Sequence, residues 1–228
     1  MKLVKHLPNA LTCGNLLCGC LGVVFCLENR NVPVAYFVWA AGGFDFFDGF
    51  AARWLKVTSP IGKELDSLAD MVSFGLLPAL VMYKLIEASS SNPYLPFIGF
   101  LIAICSALRL AIFNVDETQH HSFKGLNTPA NTIFITSLSF LSGSIKTFLQ
   151  QDWTLILITS VFSLLLVSRI DMIAFKFKDF SWEGNKIRFT FLACTVLLLI
   201  LLGKPALPLI ILLYIGFSLM GKLLKLEG

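Results

Sequence analysis

Long apolar runs alternate with short polar breaks along this chain, and the runs have the length of bilayer crossings. A helix needs about 20 apolar residues to span roughly 30 Å of hydrocarbon. On that measure the pattern predicts eight spans: Leu11–Leu27, Val34–Leu55, Asp66–Glu87, Leu95–Val115, Ala130–Leu149, Trp153–Phe175, Ile187–Leu202 and Ala206–Leu223. Turn chemistry separates several of them, as at Ser91-Asn92-Pro93, Asn127-Thr128-Pro129 and Gly203-Lys204-Pro205. Lys2 and Lys5 ahead of an apolar run give the start of the chain the look of a signal sequence. It has no clear small-residue cleavage site, so it is read as a retained first helix. The predicted fold is all-α, a polytopic transmembrane bundle of about eight helices forming one domain over residues 1–228.

Composition agrees with that pattern. Of 228 residues, 56% are hydrophobic and 14% charged, whereas a soluble domain carries about 25% charged residues. Mean hydropathy is +0.78. Disorder, a coiled coil and a secreted disulfide scaffold are excluded on the same grounds. The six cysteines (Cys13, Cys18, Cys20, Cys26, Cys105, Cys194) lie in apolar runs without a CxxC pair or zinc spacing, as buried thiols do. The net charge of +4 comes from scattered cations, which argues against a nucleic-acid partner.

The cations also predict an orientation. With both termini inside, fourteen Lys and Arg residues fall at inner ends and loops, among them Arg53, Lys56, Lys63, Arg109, Lys124, Arg169, Lys176 and Lys178. Four, namely Arg30, Lys84, Lys146 and Lys204, fall at outer ends. This is the positive-inside distribution, and it puts the loop between spans two and three in the cytoplasm.

Against this apolar background, Asp45, Asp48, Asp66, Asp70 and Asp171 sit within or at the inner ends of predicted spans. A carboxylate at mid-bilayer costs about 2.5–3.5 kcal/mol on insertion scales. Four of the five belong to two neighbouring helices, and too few basic residues lie nearby to neutralise them. At 100° per residue, Asp45, Asp48, Gly49, Ala52 and Arg53 share one arc of span two, while Phe46, Phe47, Phe50 and Trp54 occupy the opposite arc. Asp66 and Asp70, spaced i,i+4, share a face of span three. Two carboxylate faces therefore meet at similar depth, with small residues that let another molecule approach the backbone. Hard oxygen donors suit Mg²⁺ or Mn²⁺, which commonly bridge carboxylates to phosphates, and four carboxylates have room for two ions. Arg53 offers a fixed cation to a diphosphate.

The run Asp45-Phe-Phe-Asp48-Gly49-Phe-Ala-Ala52-Arg53, then Gly62, Asp66 and Asp70, matches every fixed position of DxxDGxxARx8GxxxDxxxD. In this the chain resembles the CDP-alcohol phosphotransferases, and agreement at eight fixed positions is far more specific than a lone glycine motif. The resemblance implies a helical membrane enzyme, usually a homodimer, that displaces CMP from a CDP-linked lipid with an acceptor hydroxyl. It implies Asp45, Asp48 and Asp66 as metal ligands, and Asp70 as a ligand and the base that takes the acceptor proton. It also implies that Gly49, Ala52 and Gly62 line a nucleotide pocket with Arg53 near the diphosphate. Three further stretches, Pro8-Asn9-Ala10-Leu11-Thr12, Ala107–Asn114 and Phe123–Ala130, look like the bacterial and archaeal phosphatidylserine synthases of that family. That likeness implies CDP-diacylglycerol and L-serine as substrates, a bacterial or archaeal inner membrane, and Asn9 and Thr12 as nucleotide contacts. The sequence departs from those relatives at Ile112 and Asn127, where they commonly carry Arg and Pro.

Serine is a zwitterion, so its carboxylate asks for a cation. Arg109 and Lys124 are the candidates near the inner end of span four and in the following loop. The same chemistry with a phosphorylated acceptor (glycerol 3-phosphate or inositol phosphate) calls for a further basic cluster, and none is dense near the motif in the sequence. A cation transporter is the alternative of another class, but the second half of the chain holds no counterpart of the acidic pair. His120 and His121 are read as a solvated loop pair. Asp171, with Arg169, Lys176 and Lys178, is placed at the end of span six as an anchor or headgroup contact.

Overall fold

The computed structural model describes residues 6–30, 32–57, 59–116, 123–149, 151–173 and 182–223, and these form a helical bundle. The first helix, α1 (Leu7–Leu27), starts four residues earlier than the apolar run, with Pro8 in its first turn where a missing N–H costs nothing. Its buried positions, Pro8, Thr12, Asn15, Gly19, Gly22 and Cys26, recur every three or four residues and face its neighbours. Helix α2 (Ala35–Leu55) packs along that stripe and stops at Lys56, whose backbone is left-handed. The arc expected to face outward is indeed exposed, with Trp54 at 74%.

One long helical stretch, Pro60–Ser89, crosses both. It begins as α3 (Pro60–Asp70), where the Ser59 hydroxyl accepts the Gly62 N–H at 3.0 Å and Pro60 takes the first turn. Immediately after Asp70 the helix widens to a π turn over Met71–Leu76, seen in the Leu77 N–H bonding to Val72 O, before continuing as α4 (Leu77–Ser89). Pro78 explains the widening. It has no N–H for the Phe74 carbonyl, and its ring crowds that carbonyl in regular helix. The Thr132 hydroxyl lies 2.9 Å from the vacated Phe74 oxygen. The next stretch, Leu95–Val115, spans the range predicted for it and ends as α5 (Leu101–Val115).

Beyond α5 the prediction needs correction. The expected span Ala130–Leu149 is broken into α6 (Thr128–Ser137), a short 3₁₀ turn and α7 (Gly143–Leu149). Serines break it: Ser137 and Ser139 hydroxyls bond to Phe134 O and Thr136 O, and Gly143 takes a left-handed φ of 64°. The expected span Trp153–Phe175 ends early, as α8 (Asp152–Val167). Its last carbonyls are drawn into tertiary bonds, Leu165 O to Leu126 N–H and Leu166 O to Arg109. Asp171 accordingly lies not on a helix end but in β2 (Asp171–Met172), which pairs antiparallel with β1 (Phe123–Lys124). The chain ends in α9 (Trp182–Leu202), kinked at Asn185, and α10 (Ala206–Leu223). His120, His121, Lys176 and Lys178 lie outside the described residues.

Eight spans are not confirmed among the described residues. Four helical stretches there are long and apolar enough to cross a membrane, Leu7–Leu27, Pro60–Ser89, Leu95–Val115 and Asn185–Leu202, and a fifth is reached if the bent pair α7 and α8 forms one span. Helix α2 has the length but carries the charges of the acidic motif. The main core surrounds α6, whose Phe134 stacks on Phe162 of α8 with ring centroids 4.0 Å apart.

Candidate active site

The acidic site forms where α1, α2 and α3 meet at one end of the bundle. A carboxylate oxygen from each of Asp45, Asp48 and Asp66 lies within 4.8 Å of the other two, the spacing of a shared cation site. Asp48 is buried, and Thr12 of α1 places its hydroxyl 2.6 Å from Asp48 Oδ2 and 3.0 Å from Pro8 O. The carboxylate, the closer and more strongly accepting of the two, takes the proton. Asp66 Oδ1 is buried with no hydrogen-bond partner among the described residues. The ion pairs of Arg30 with Glu28 and of Lys84 with Glu87 engage none of these acids. Convergent carboxylates, an orphaned buried oxygen and no basic partner among the described residues are what a divalent cation would satisfy, and the donor set of hard oxygens suits Mg²⁺ or Mn²⁺.

Asp70 stands one turn along α3 from Asp66. The structure does not group its oxygens with the other three; its Oδ1 accepts from Asn15 Nδ2 of α1 at 3.0 Å. Asn15 is fully buried, and the sequence gives no sign of its part here, since a lone Asn in an apolar run carries no motif.

A cavity of about 210 Å³ opens directly onto the acids. Asn9, Thr12, Gly49, Ala52 and Gly62, the residues expected around a nucleotide, all line it together with Asp48 and Asp66. At Gly62 the small residue has a physical reason: a Cβ there would come within 3.1 Å of both Asn9 Oδ1 and Ser59 Oγ, tighter than ordinary contact. A Cβ on Gly49 would make only ordinary contact, 3.5 Å, with the Arg53 guanidinium, which therefore lies against Gly49. Lys63 also lines the cavity, with its ammonium 2.8 Å from Asn114 O. In the sequence it counts only as one of the inner cations, although it adjoins the motif's Gly62.

Arg109 and Lys124 border a second cavity, of about 370 Å³, with Ile112, Asp116 and Arg169. Arg109 Nη1 donates to Lys124 O at 2.8 Å and Leu166 O at 3.1 Å, so this guanidinium ties α5 to β1 and to the end of α8. Gly125, with φ of 73°, makes room for it; a Cβ there would lie 3.0 Å from Arg109 Nη1. Three basic residues scattered in sequence thereby border one cavity, together with Asp116, a grouping that the spacing along the chain does not reveal.

Three carboxylates thus converge beside a cavity lined by small residues. Residues 5–175 match the CDP-alcohol phosphatidyltransferase family, and the chain belongs to it. Its relatives are specific. The CDP-diacylglycerol–serine O-phosphatidyltransferase of Bacillus subtilis is 36% identical over 141 residues, covering 60% of this chain and 77% of that protein. The Mycobacterium bovis protein of the same name is 36% identical over 180 residues, covering 74% of this chain and 61% of the relative. The archaetidylserine synthase of Methanothermobacter thermautotrophicus is 32% identical over 140 residues, covering 60% and 58%. The chain thus spans about three fifths of the length of the latter two.

Proposed function

We propose that this protein transfers the phosphatidyl group of CDP-diacylglycerol to L-serine, forming phosphatidylserine and releasing CMP. The observation that carries this reading is the convergence of Asp45, Asp48 and Asp66 beneath the cavity of the signature's own small residues, in a chain similar to enzymes named for that reaction. Asp45, Asp48 and Asp66 would hold Mg²⁺ or Mn²⁺, with a second ion if Asp70 also ligates, and the metal would supply charge for the diphosphate and for the departing CMP oxygen.

The chain's own residues do the rest. Asn9, Thr12, Gly49, Ala52 and Gly62 hold the cytidine end, and Arg53 and Lys63 neutralise phosphate oxygens from the rim. Asp70 takes the proton of the serine hydroxyl. The serine oxygen forms a bond to the lipid-side phosphorus, the bond from that phosphorus to the bridging oxygen breaks, and its electron pair leaves on CMP. Arg109 and Lys124, with Arg169, receive the serine carboxylate in the second cavity. The enzyme works as a homodimer in a bacterial or archaeal inner membrane, with the site and both termini facing the cytoplasm; the excess of cations at that end supports the orientation.

A second reading is favoured by the three basic residues that border the second cavity. The same chemistry could act on a phosphorylated acceptor such as glycerol 3-phosphate or inositol phosphate. Incubating the purified protein with CDP-diacylglycerol, Mg²⁺ or Mn²⁺ and each labelled acceptor separates the two. Label from serine in the extracted lipid, with equal CMP release, is expected; label from a phosphorylated acceptor but not from serine would reject the serine assignment.

A further inference from the structure

Asn15 lies outside the acidic signature, yet it touches the acid expected to act as base. We propose that Asn15 is a positioning residue for Asp70: its amide holds one carboxylate oxygen, Oδ1, so that the other is presented to the acceptor hydroxyl. This rests on the reading of Asp70 as base given above, and not on which alcohol is accepted.

Four observations converge on it. The Asn15 Nδ2 to Asp70 Oδ1 distance is 3.0 Å, and among the described residues this is the hydrogen bond that the Asp70 carboxylate makes. The orientation of the amide is set by its neighbour, because turning it over would place a carbonyl oxygen against a carboxylate. The Asn15 backbone is fixed in turn. Ser73, in the π turn that follows Asp70, donates its hydroxyl to Asn15 O at 3.0 Å. One helical turn on, a Cβ at Gly19 would stand 2.3 Å from Ser73 Oγ and 3.0 Å from its Cα, so α1 and the π turn are in the closest contact glycine allows. The acid, the π turn and the amide are therefore tied together through α1. Lastly, Asn15 is 0% exposed and its own Oδ1 has no partner among the described residues. An apolar side chain of the same volume would fill this space without burying an unpaired carbonyl. The retained cost points to what the other end of the amide does.

The test uses the full chain in lipid. Asn15→Leu keeps the volume and removes the donor, and Asn15→Ser keeps a short donor. Turnover is followed as CMP release with whichever alcohol supports it, so that a wrong acceptor assignment leaves this result standing. The Asp70 carboxylate is followed separately by infrared difference spectroscopy, identified as the band that Asp70→Asn removes. Asn15→Leu is expected to lower kcat by about 10–100-fold, the usual effect of losing a residue that orients a functional group, with KM for the CDP-linked donor unchanged. The Asp70 band is expected to shift, and Asn15→Ser is expected to recover part of both changes. If Asn15→Leu does not fold, the Asn15→Ser protein alone decides the matter through a partial loss of kcat and a partial band shift. An unmoved Asp70 band, or a kcat that survives the loss of the donor, overturns the proposal.

Discussion

Asp48 and Asp70 sit in helices that a membrane protein would normally keep free of charge, and each is met by a polar side chain from α1, Thr12 for the first and Asn15 for the second. Donors from a third helix fix both carboxylates before any ligand arrives, which limits the reorganisation left to the reaction. Thr12→Val should therefore weaken function without removing a ligand. It is expected to lower divalent-ion affinity or turnover by about 10–100-fold, read as a right-shifted Mn²⁺ activation curve. Asp70→Asn keeps the shape of the site but cannot take a proton. Turnover should fall by about 10²–10⁴-fold, the worth of a general base, while the CDP-linked donor still binds in equilibrium dialysis. Near-wild-type turnover in this variant would remove Asp70 from its role.

The elements matter because the acids work only if α1, α2 and α3 approach closely. Gly19 marks the tightest point, and Gly19→Ala should push α1 away from Ser73. A loss of about 1–3 kcal/mol, typical of overpacking, is expected in thermal unfolding in detergent, accompanied by loss of activity. Gly43→Ala, at a position where no atom stands within 4 Å of the added methyl, is the control and should unfold as wild type or later. The acidic motif is legible in the sequence for a simple reason. Spacings of three and four residues have one meaning on a helix, so Asp45, Asp48, Gly49 and Ala52 are bound to share a face. The π turn, the broken span of α6 and α7 and the β1–β2 pair are not legible. Each depends on a partner distant in sequence, such as the Thr132 hydroxyl at Phe74 O or Leu126 N–H at Leu165 O. Asn15 is invisible likewise, since only the fold reveals what faces it.

Across the whole molecule the charges separate. Lys63 lines the cavity at the acids, Arg53 lies against Gly49 of its lining, and Arg109, Lys124 and Arg169 border the second cavity. At the other end of α2, Lys204 meets the Tyr36 hydroxyl at 2.5 Å, and Arg30 and Lys84 line one cavity there. With the acidic end in the cytoplasm, an impermeant thiol reagent should label Lys204→Cys in intact spheroplasts and Lys63→Cys only after lysis, above the background of the native cysteines. The reverse pattern would invert the orientation. Whether the convergent carboxylates hold divalent ions for transfer to serine is decided by one titration. Purified protein in CDP-diacylglycerol vesicles is stripped with a chelator, and serine incorporation and CMP release are then followed as Mn²⁺ is returned. The stripped protein should show no turnover, and both products should return in equal molar amounts as Mn²⁺ rises. Asp66→Asn should require far more metal for either product. Full serine transfer in the stripped protein, or an Asp66→Asn variant with an unchanged Mn²⁺ curve, would mean that the carboxylates hold no catalytic ion.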